Sequence, residues 1–438
     1  MDIYNLVSFF GIFVIIFFAW LISENRSILN WKVIVWGIIF QMAIALFIFI
    51  VPAGAKLFLF LNGIVIQILD AATAGARFLF GRLALAPGQV NEAGETSLGF
   101  MLAFQAFPTI IFFSSLISIL YFLNIMPFIV RGFAYLFTRL MKISGAESLV
   151  TVSNIFVGIE AMLTVRPHLH AMTRSEVCTV LAAGMATVSS NVLALYVFSL
   201  KENFPTIAGH LISASLLSAP AVLMMAKVIL PETETPETLG VHIRPEYDRE
   251  NNLFQAVING ANSGVKMIIG ISALLIAVLG LVALTDSFLS FLGARVNAFF
   301  GSQCDWSLSG ILGYIYYPFT IVLGIPPSDA GIVSKIIAER MVVTEVVAYQ
   351  DLAVVIRDNV LVHPRSAVVT TYALCGFAHL ASMAIFVGGF IALVPQKARM
   401  VSEVAPRALI AATLACLLTA SVAGTFFVKD SILLGGIG

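Results

Sequence analysis

Two glutamates, one histidine and a scatter of neutral oxygens stand inside otherwise apolar stretches of this chain. Glu160 closes the run Asn154-Ile155-Phe156-Val157-Gly158-Ile159, and Glu345 sits in Thr344-Glu345-Val346. An ionised carboxylate at bilayer depth costs at least about 2.5–3.5 kcal/mol. A chain tolerates one where it accepts hydrogen bonds from a polar solute in a wet cavity, or where a cation neutralises it. Arg166 and Arg340 are the candidate partners for the second case. His379, in the middle of another apolar run, can contact a solute, relay a proton or bond a neighbouring helix. Asn154, Thr187, Ser189, Ser190 and Asn191 offer oxygens suited to a hard cation such as sodium, by analogy with the ligand rule for calcium and magnesium. Carbonyls freed by local unwinding at Val157 and Val192 would complete such a shell. Small polar residues also join helices in membranes, and the spacing fits both roles equally. Asp329 and Glu339 fit interfacial or capping positions and are assigned no role.

The elements that must position these groups follow from composition. The 438 residues are 60% hydrophobic and 11% charged, against about 25% charged in a soluble domain. Too few polar residues exist to cover a water-facing surface, so lipid covers it. With 24 basic and 24 acidic residues, net charge is +0, and no basic excess points to nucleic acid. The four cysteines (Cys178, Cys304, Cys375, Cys416) lie far apart without CxxC or Cys/His ligand spacing, and read as small buried side chains. The start, Met1-Asp2-Ile3-Tyr4, carries an acid where a cleavable signal has basic residues.

Spans need about 20 mostly apolar residues. Eight are expected, near 5–23, 31–52, 102–125, 176–199, 207–229, 265–286, 364–392 and 407–428. Backbone polar groups in lipid must bond within their own segment, so the class is an all-α polytopic membrane protein. Arg26 and Lys32 between the first two spans favour a cytoplasmic loop there and an outside N-terminus. Residues 127–144 and 288–300 mix basic and aromatic residues like interfacial helices. Residues 230–252 hold six of the 24 acids and three prolines, and read as a solvated, disordered linker. Gly and Pro interrupt 147–172 and 308–350, which read as re-entrant hairpins covered by protein or a water-filled cavity.

Each hairpin precedes a helix with a soft polar centre: Thr187-Val188-Ser189-Ser190-Asn191 after the first, Cys375-Gly376-Phe377-Ala378-His379 after the second. The unit therefore occurs twice, as expected of a secondary transporter with two internal repeats and a midplane site. The expected parts are N-terminal scaffold helices with an interfacial segment (1–98), a first transport half (99–229), the linker (230–252), a scaffold and interfacial helix (253–300) and a second transport half (301–438). Both carboxylates are expected to face one shared pocket. A channel would need a continuous carbonyl- or side-chain-lined path, and no repeated filter-like motif is present. No HExxH, GxSxG or phosphate-binding loop suggests an enzyme.

Ordered blocks then identify a resemblance. AFPTIIFFSSLISILYFLNIM (106–126), SNIFVGIE (153–160), SGILGYIYYPFTIVLGIP (309–326), TEVVAY (344–349), TYALCGFAHLAS (371–382) and PRALIAATLACLLTASVAG (406–424) resemble the concentrative nucleoside transporter family. The resemblance implies a homotrimer in the plasma (inner) membrane, with eight spans, two re-entrant hairpins and interfacial helices per protomer. It implies a cation symporter of nucleosides or related polar ring compounds, coupled to sodium or protons, working by alternating access and without an organic cofactor. A channel or facilitator for small polar solutes is the alternative. The substrate residues it implies are Glu160, Glu345, Phe377, His379 and Ser382; the sodium ligands are Asn154, Val157, Asn191 and Val192. The chain departs from the family pattern at the site itself. Gly158-Ile159-Glu160 is one residue shorter than the family's Gly-Gln-x-Glu and lacks the Gln, and His379 stands at the usual Asn. Val346 stands at the usual Phe, Thr344 at an Asn and Asn191 at a Ser. A changed set of polar groups implies a changed substrate preference.

Overall fold

The computed structural model describes residues 2–86, 88–91, 94–246, 250–301 and 303–428, with the side chain of Asn191 outside that set. The helices in chain order are α1 (Ile3–Leu21), α2 (Trp31–Phe49), α3 (Pro52–Phe80), α4 (Phe107–Phe122), α5 (Ile125–Met141), α6 (Gly145–Ser153), α7 (Arg174–Ala186) and α8 (Ser190–Leu200). After these come α9 (Ile207–Ile229), α10 (Leu253–Phe300), α11 (Leu308–Val322), α12 (Pro327–Val342), α13 (Glu345–Arg357), α14 (Pro364–Leu374), α15 (Leu380–Leu393) and α16 (Ala398–Thr425). Among the described residues, seven helices are long and apolar enough to cross a membrane. The protein is an all-helical integral membrane protein.

The order α4–α9 is repeated by α10–α16. Each unit runs long helix, short helix, hairpin, broken helix, buried closing helix. In the first unit these are α4, α5, α6 with the tight helical turns of Ile159–His168, α7/α8 and α9. In the second they are α10, α11, α12/α13, α14/α15 and α16.

Four sequence expectations change here. The second hairpin is α12 and α13, turning at Val343–Thr344, and not 308–350; α11 is the counterpart of α5. The glycine and prolines at 324–327, which interrupt the range 308–350, form the turn from α11 into α12. Residues 253–300 form one helix of 48 residues, so the separate interfacial helix at 288–300 does not exist. No proline interrupts it, and at about 1.5 Å per residue it extends about 72 Å, well beyond a hydrocarbon core of about 30 Å. α3 is an additional apolar helix, obscured in sequence by Lys56, Asn62, Gln67 and Asp70. The stretch 230–246 is held against the first hairpin and is not a free linker. Gly145 N donates to Thr238 O (2.9 Å), Gly240 N to Ile143 O (3.1 Å) and Glu246 N to Thr164 O (2.9 Å). Its acids are partly consumed by Lys227, which lies 2.8 Å from Glu147 and 3.3 Å from Glu232. α1 is also bound into the second unit: Arg365 at the start of α14 donates to Gly324 O, Tyr4 O, Ser8 Oγ, Asn5 Oδ1 and Gly424 O.

Burial separates a centre from a shell. The apolar windows of α9 and α16 are 89% and 94% buried, whereas that of α10 is 6% buried despite the highest mean hydropathy, 2.8. α10 therefore presents its apolar side chains to lipid or to another copy, and α9 and α16 form the core. α10 packs on α4 through small residues: a Cβ at Gly260 would meet Ser114 O at 2.7 Å, and one at Gly264 would meet Ile111 Cα at 2.7 Å. Small residues permit this approach of backbones in a membrane.

Candidate functional site

Both breaks are built locally. α7 ends at Ala186 because Thr187 turns extended (φ −110, ψ 156), and Ser189 (φ −65, ψ 143) opens α8. α14 ends at Leu374, and Gly376 takes φ +141, a conformation that favours glycine. The two breaks touch. A Cβ at Gly376 would lie 2.8 Å from Ala186 O and 2.7 Å from Cys416 Sγ, so only glycine lets α14/α15 cross α7/α8 at this point. The hairpin tip of the first unit also reaches the second, since Ile159 Cδ1 occupies the place of a Cβ on Gly389 of α15.

At the second break a polar cluster is sealed inside. Glu345, first residue of α13, is 3% exposed. Its Oε1 accepts the Tyr196 hydroxyl at 2.6 Å, and its Oε2 lies 2.9 Å from His379 Nε2. His379 caps α15: its Nδ1 accepts the Ser382 N–H at 3.2 Å. With Nδ1 accepting, the neutral ring carries its proton on Nε2, the nitrogen nearer the carboxylate, although Glu345 Oε2 accepts no hydrogen bond among the described residues. The Ser382 hydroxyl bonds back to the carbonyls of Phe377 and His379, and His379 N donates to Phe377 O at 2.8 Å. Glu345, Phe377, His379 and Ser382 are thus brought together as the sequence led one to expect. Tyr196 is the residue that sequence reasoning missed. It lies in the apolar run after the first break, where one phenol among Leu, Ala and Val was the available signal, and it stacks on Tyr349 with centroids 4.6 Å apart.

The first break presents neutral oxygens. Asn154 is 2% exposed; its Nδ2 donates to Val150 O (3.1 Å), and its carbonyl accepts the Thr187 hydroxyl (3.1 Å). Asn154 Oδ1 and Ser153 Oγ are buried without a hydrogen-bond partner. Ser190 N donates to Phe156 O at 3.2 Å, tying the hairpin tip to α8. An unpartnered amide oxygen beside the C-terminal ends of α6 and α7, which carry partial negative charge, fits a small cation with oxygen ligands. Val157 lies in the tip beside this group. Val192 lies inside α8, where a carbonyl is used by the helix ladder four residues on; the residues actually unwound are Thr187–Ser189. Asn191's side chain lies outside the described residues.

Glu160 behaves differently from Glu345. It is exposed, and it has no hydrogen-bond partner among the described residues. A Cβ on Gly158 would stand 3.6 Å from Glu160 Oε2 and 3.9 Å from Ser189 Cβ, which places the acid beside the first break. The two carboxylates thus differ in setting: Glu160 is exposed, whereas Glu345 is buried against Tyr196 and His379. Neither arginine pairs with a glutamate: Arg166 is exposed, and Arg340 donates to Ala373 O instead.

Three family profiles match the chain in order: Na+ dependent nucleoside transporter N-terminus over residues 10–83, Nucleoside recognition over 103–203, and Na+ dependent nucleoside transporter C-terminus over 210–424. The chain is 35% identical to the nucleoside permease NupC of Helicobacter pylori, covering 96% of this chain and 98% of that protein. It is 35% identical to solute carrier family 28 member 3 of Mus musculus over 96% of its own length, but spans only 58% of that relative. Among solved structures it resembles CNTnw in an inward-facing substrate-bound state, with TM-score 0.84 and 31% identity over 97% of this chain and 98% of that one. A variant of CNTnw in an outward-facing state gives TM-score 0.85 at 30% identity, over 97% and 98%.

Proposed function

The chain belongs to the Na+ dependent (concentrative) nucleoside transporter family, and from that membership and the geometry above we propose that it takes up nucleosides or chemically related ring compounds together with sodium. The observation that carries this reading is the sealed cluster at the second break. Glu345 is held by Tyr196 and His379 with no arginine or lysine within ion-pair distance among the described residues. A carboxylate so placed accepts hydrogen bonds from vicinal hydroxyls, the group that a ribose supplies. Phe377 would pack on the substrate, with His379 and Ser382 as further polar contacts. Glu160, exposed beside the first break, would meet the solute on entry. Ile159, half-buried against Gly389, offers nothing to a base edge, so the base is read elsewhere than by the family's hairpin glutamine.

Sodium would sit at the first break as co-transported cargo, on Asn154 Oδ1 and the carbonyl of Val157, with Asn191 and Val192 as the remaining candidates; the unpartnered Asn154 oxygen supports this. Alternating access is supported by the inward- and outward-facing states of the similar structures. The working unit would be a homotrimer in the plasma membrane, built through the apolar flank of α10 and α4. Hairpins and broken helices would form the moving part. The test is uptake of labelled uridine and adenosine into proteoliposomes under sodium, proton or no gradient. Saturable uptake driven by sodium is expected; absence of nucleoside uptake under every gradient overturns the substrate, and uptake driven by protons alone overturns the ion.

A further inference from the structure

The last turn of the first hairpin arm carries different groups in the two repeats. In the first, Asn154 reaches Thr187 at the end of α7 and leaves Oδ1 unpartnered. In the second, the last turn of α12 carries Arg340, fully buried at 0% exposure. Its Nη1 donates to Ala373 O, one residue before α14 ends, while Nε and Nη2 have no hydrogen-bond partner among the described residues. Around the guanidinium lie Cys416, Tyr316 and Tyr349, and no carboxylate stands within ion-pair distance among the described residues. A guanidinium stays charged at any physiological pH. The end of a helix carries partial negative charge and favours a cation. So each repeat presents the carbonyl end of a broken half-helix, but only the second has a positive charge covalently attached there.

We propose that Arg340 is a tethered cation: it occupies in the second repeat the place that a free ion takes in the first, so that one sodium ion accompanies each substrate molecule. Buried charge without a counter-ion strongly destabilises a fold, and here the half-helix end supplies the compensation. Thr344 Oγ1 is also unpartnered, but Thr344 lies in the hairpin turn, next to Glu345, and belongs to the substrate cluster. The inference rests on the sodium-coupled reading above. Its test is simultaneous flux of radiosodium and tritiated uridine into proteoliposomes of the full chain. A ratio of one and a Hill coefficient of one for sodium are expected, and Arg340→Lys, which keeps the charge, retains both. Arg340→Met leaves the half-helix end free for an ion, so the Hill coefficient rises above one. A wild-type ratio of two overturns the tethered cation while leaving sodium coupling intact. A ratio of zero with continued uridine accumulation overturns sodium coupling itself, and the inference with it. Should Arg340→Met not fold, a ratio of two in Arg340→Lys overturns the proposal.

Discussion

The two repeats share an order of elements and differ in what fills their breaks. In the first, the neutral oxygens Ser153 Oγ and Asn154 Oδ1 are buried without a partner, the Asn154 carbonyl accepts the Thr187 hydroxyl just after α7, and the hairpin's acid, Glu160, is exposed. In the second, the charged groups belong to the chain itself: Glu345 lies against Tyr196 and His379, and Arg340 donates one hydrogen bond to the Ala373 carbonyl. The backbone device, a half-helix end at depth, is therefore common to both. The side chains decide whether that end receives an ion, a charge of the chain itself or a solute.

The largest expected effect strikes the place where the repeats cross. Gly376→Ala puts a Cβ against Ala186 O and Cys416 Sγ at positive φ, which destabilises by on the order of 3 kcal/mol from strain and overpacking together. Thermal unfolding in detergent should show it, with Gly63→Ala, which meets open space, as the neutral control. Next, Glu345→Gln removes the charge beside His379 and the charged acceptor of the Tyr196 hydroxyl, worth about 1.5–3 kcal/mol. Uridine uptake should fall roughly 10- to 100-fold, whereas Glu160→Gln, at an exposed acid, should reduce it less. If the two variants lose equally, the contrast drawn between the acids is wrong. Asn154→Ala should then raise the sodium concentration for half-maximal uptake about tenfold, the equivalent of about 1.4 kcal/mol, while uptake at saturating sodium stays within a fewfold of the parent. Tyr196→Phe removes one hydrogen bond to Glu345, worth about 1 kcal/mol, and should weaken uridine binding about fivefold by calorimetry.

The smallest effect lies outside the breaks. Lys335 at 2.6 Å, with Ser307, lowers the Asp305 carboxyl from 3.8 to about 2. A carboxyl with a lowered folded value contributes stability that is complete above the unfolded value and is lost as pH falls through the folded one. The contribution should disappear between about pH 4 and about pH 2, and Asp305→Asn should flatten the unfolding temperature over that window by a small amount, because the pair is largely solvated.

Much of this was legible in advance because it is local. Gly376 and the polar run Thr187–Ser190 announce breaks wherever they are placed, and a glutamate in an apolar run announces a site. His379 and Ser382 are three residues apart, so capping brings them together without help from the rest of the chain. What proved misleading was punctuation without context. Gly324-Ile325-Pro326-Pro327 interrupts an apolar stretch and so drew 308–350 into one hairpin, and only the placement of α11 in the role of α5 shows the tip to be Val343–Thr344. The acids and prolines of 230–246 looked solvated, yet backbone bonds to Ile143, Gly145 and Thr164 bind the segment to the first hairpin.

Sequence by itself determined the membrane class, the doubled unit and the identity of the polar groups, because hydropathy, helix breaking and capping act over a few residues. Tertiary structure alone decided which of those groups meet. Tyr196 and Glu345 are 149 positions apart, and Asn5 and Arg365 are 360 apart. Contacts at such separations depend on how helices cross, and the crossing is set by close approach at Gly376, Gly389 and Gly260. The absence of a side chain there governs the geometry, and its consequence is seen only when the partner helix is in place.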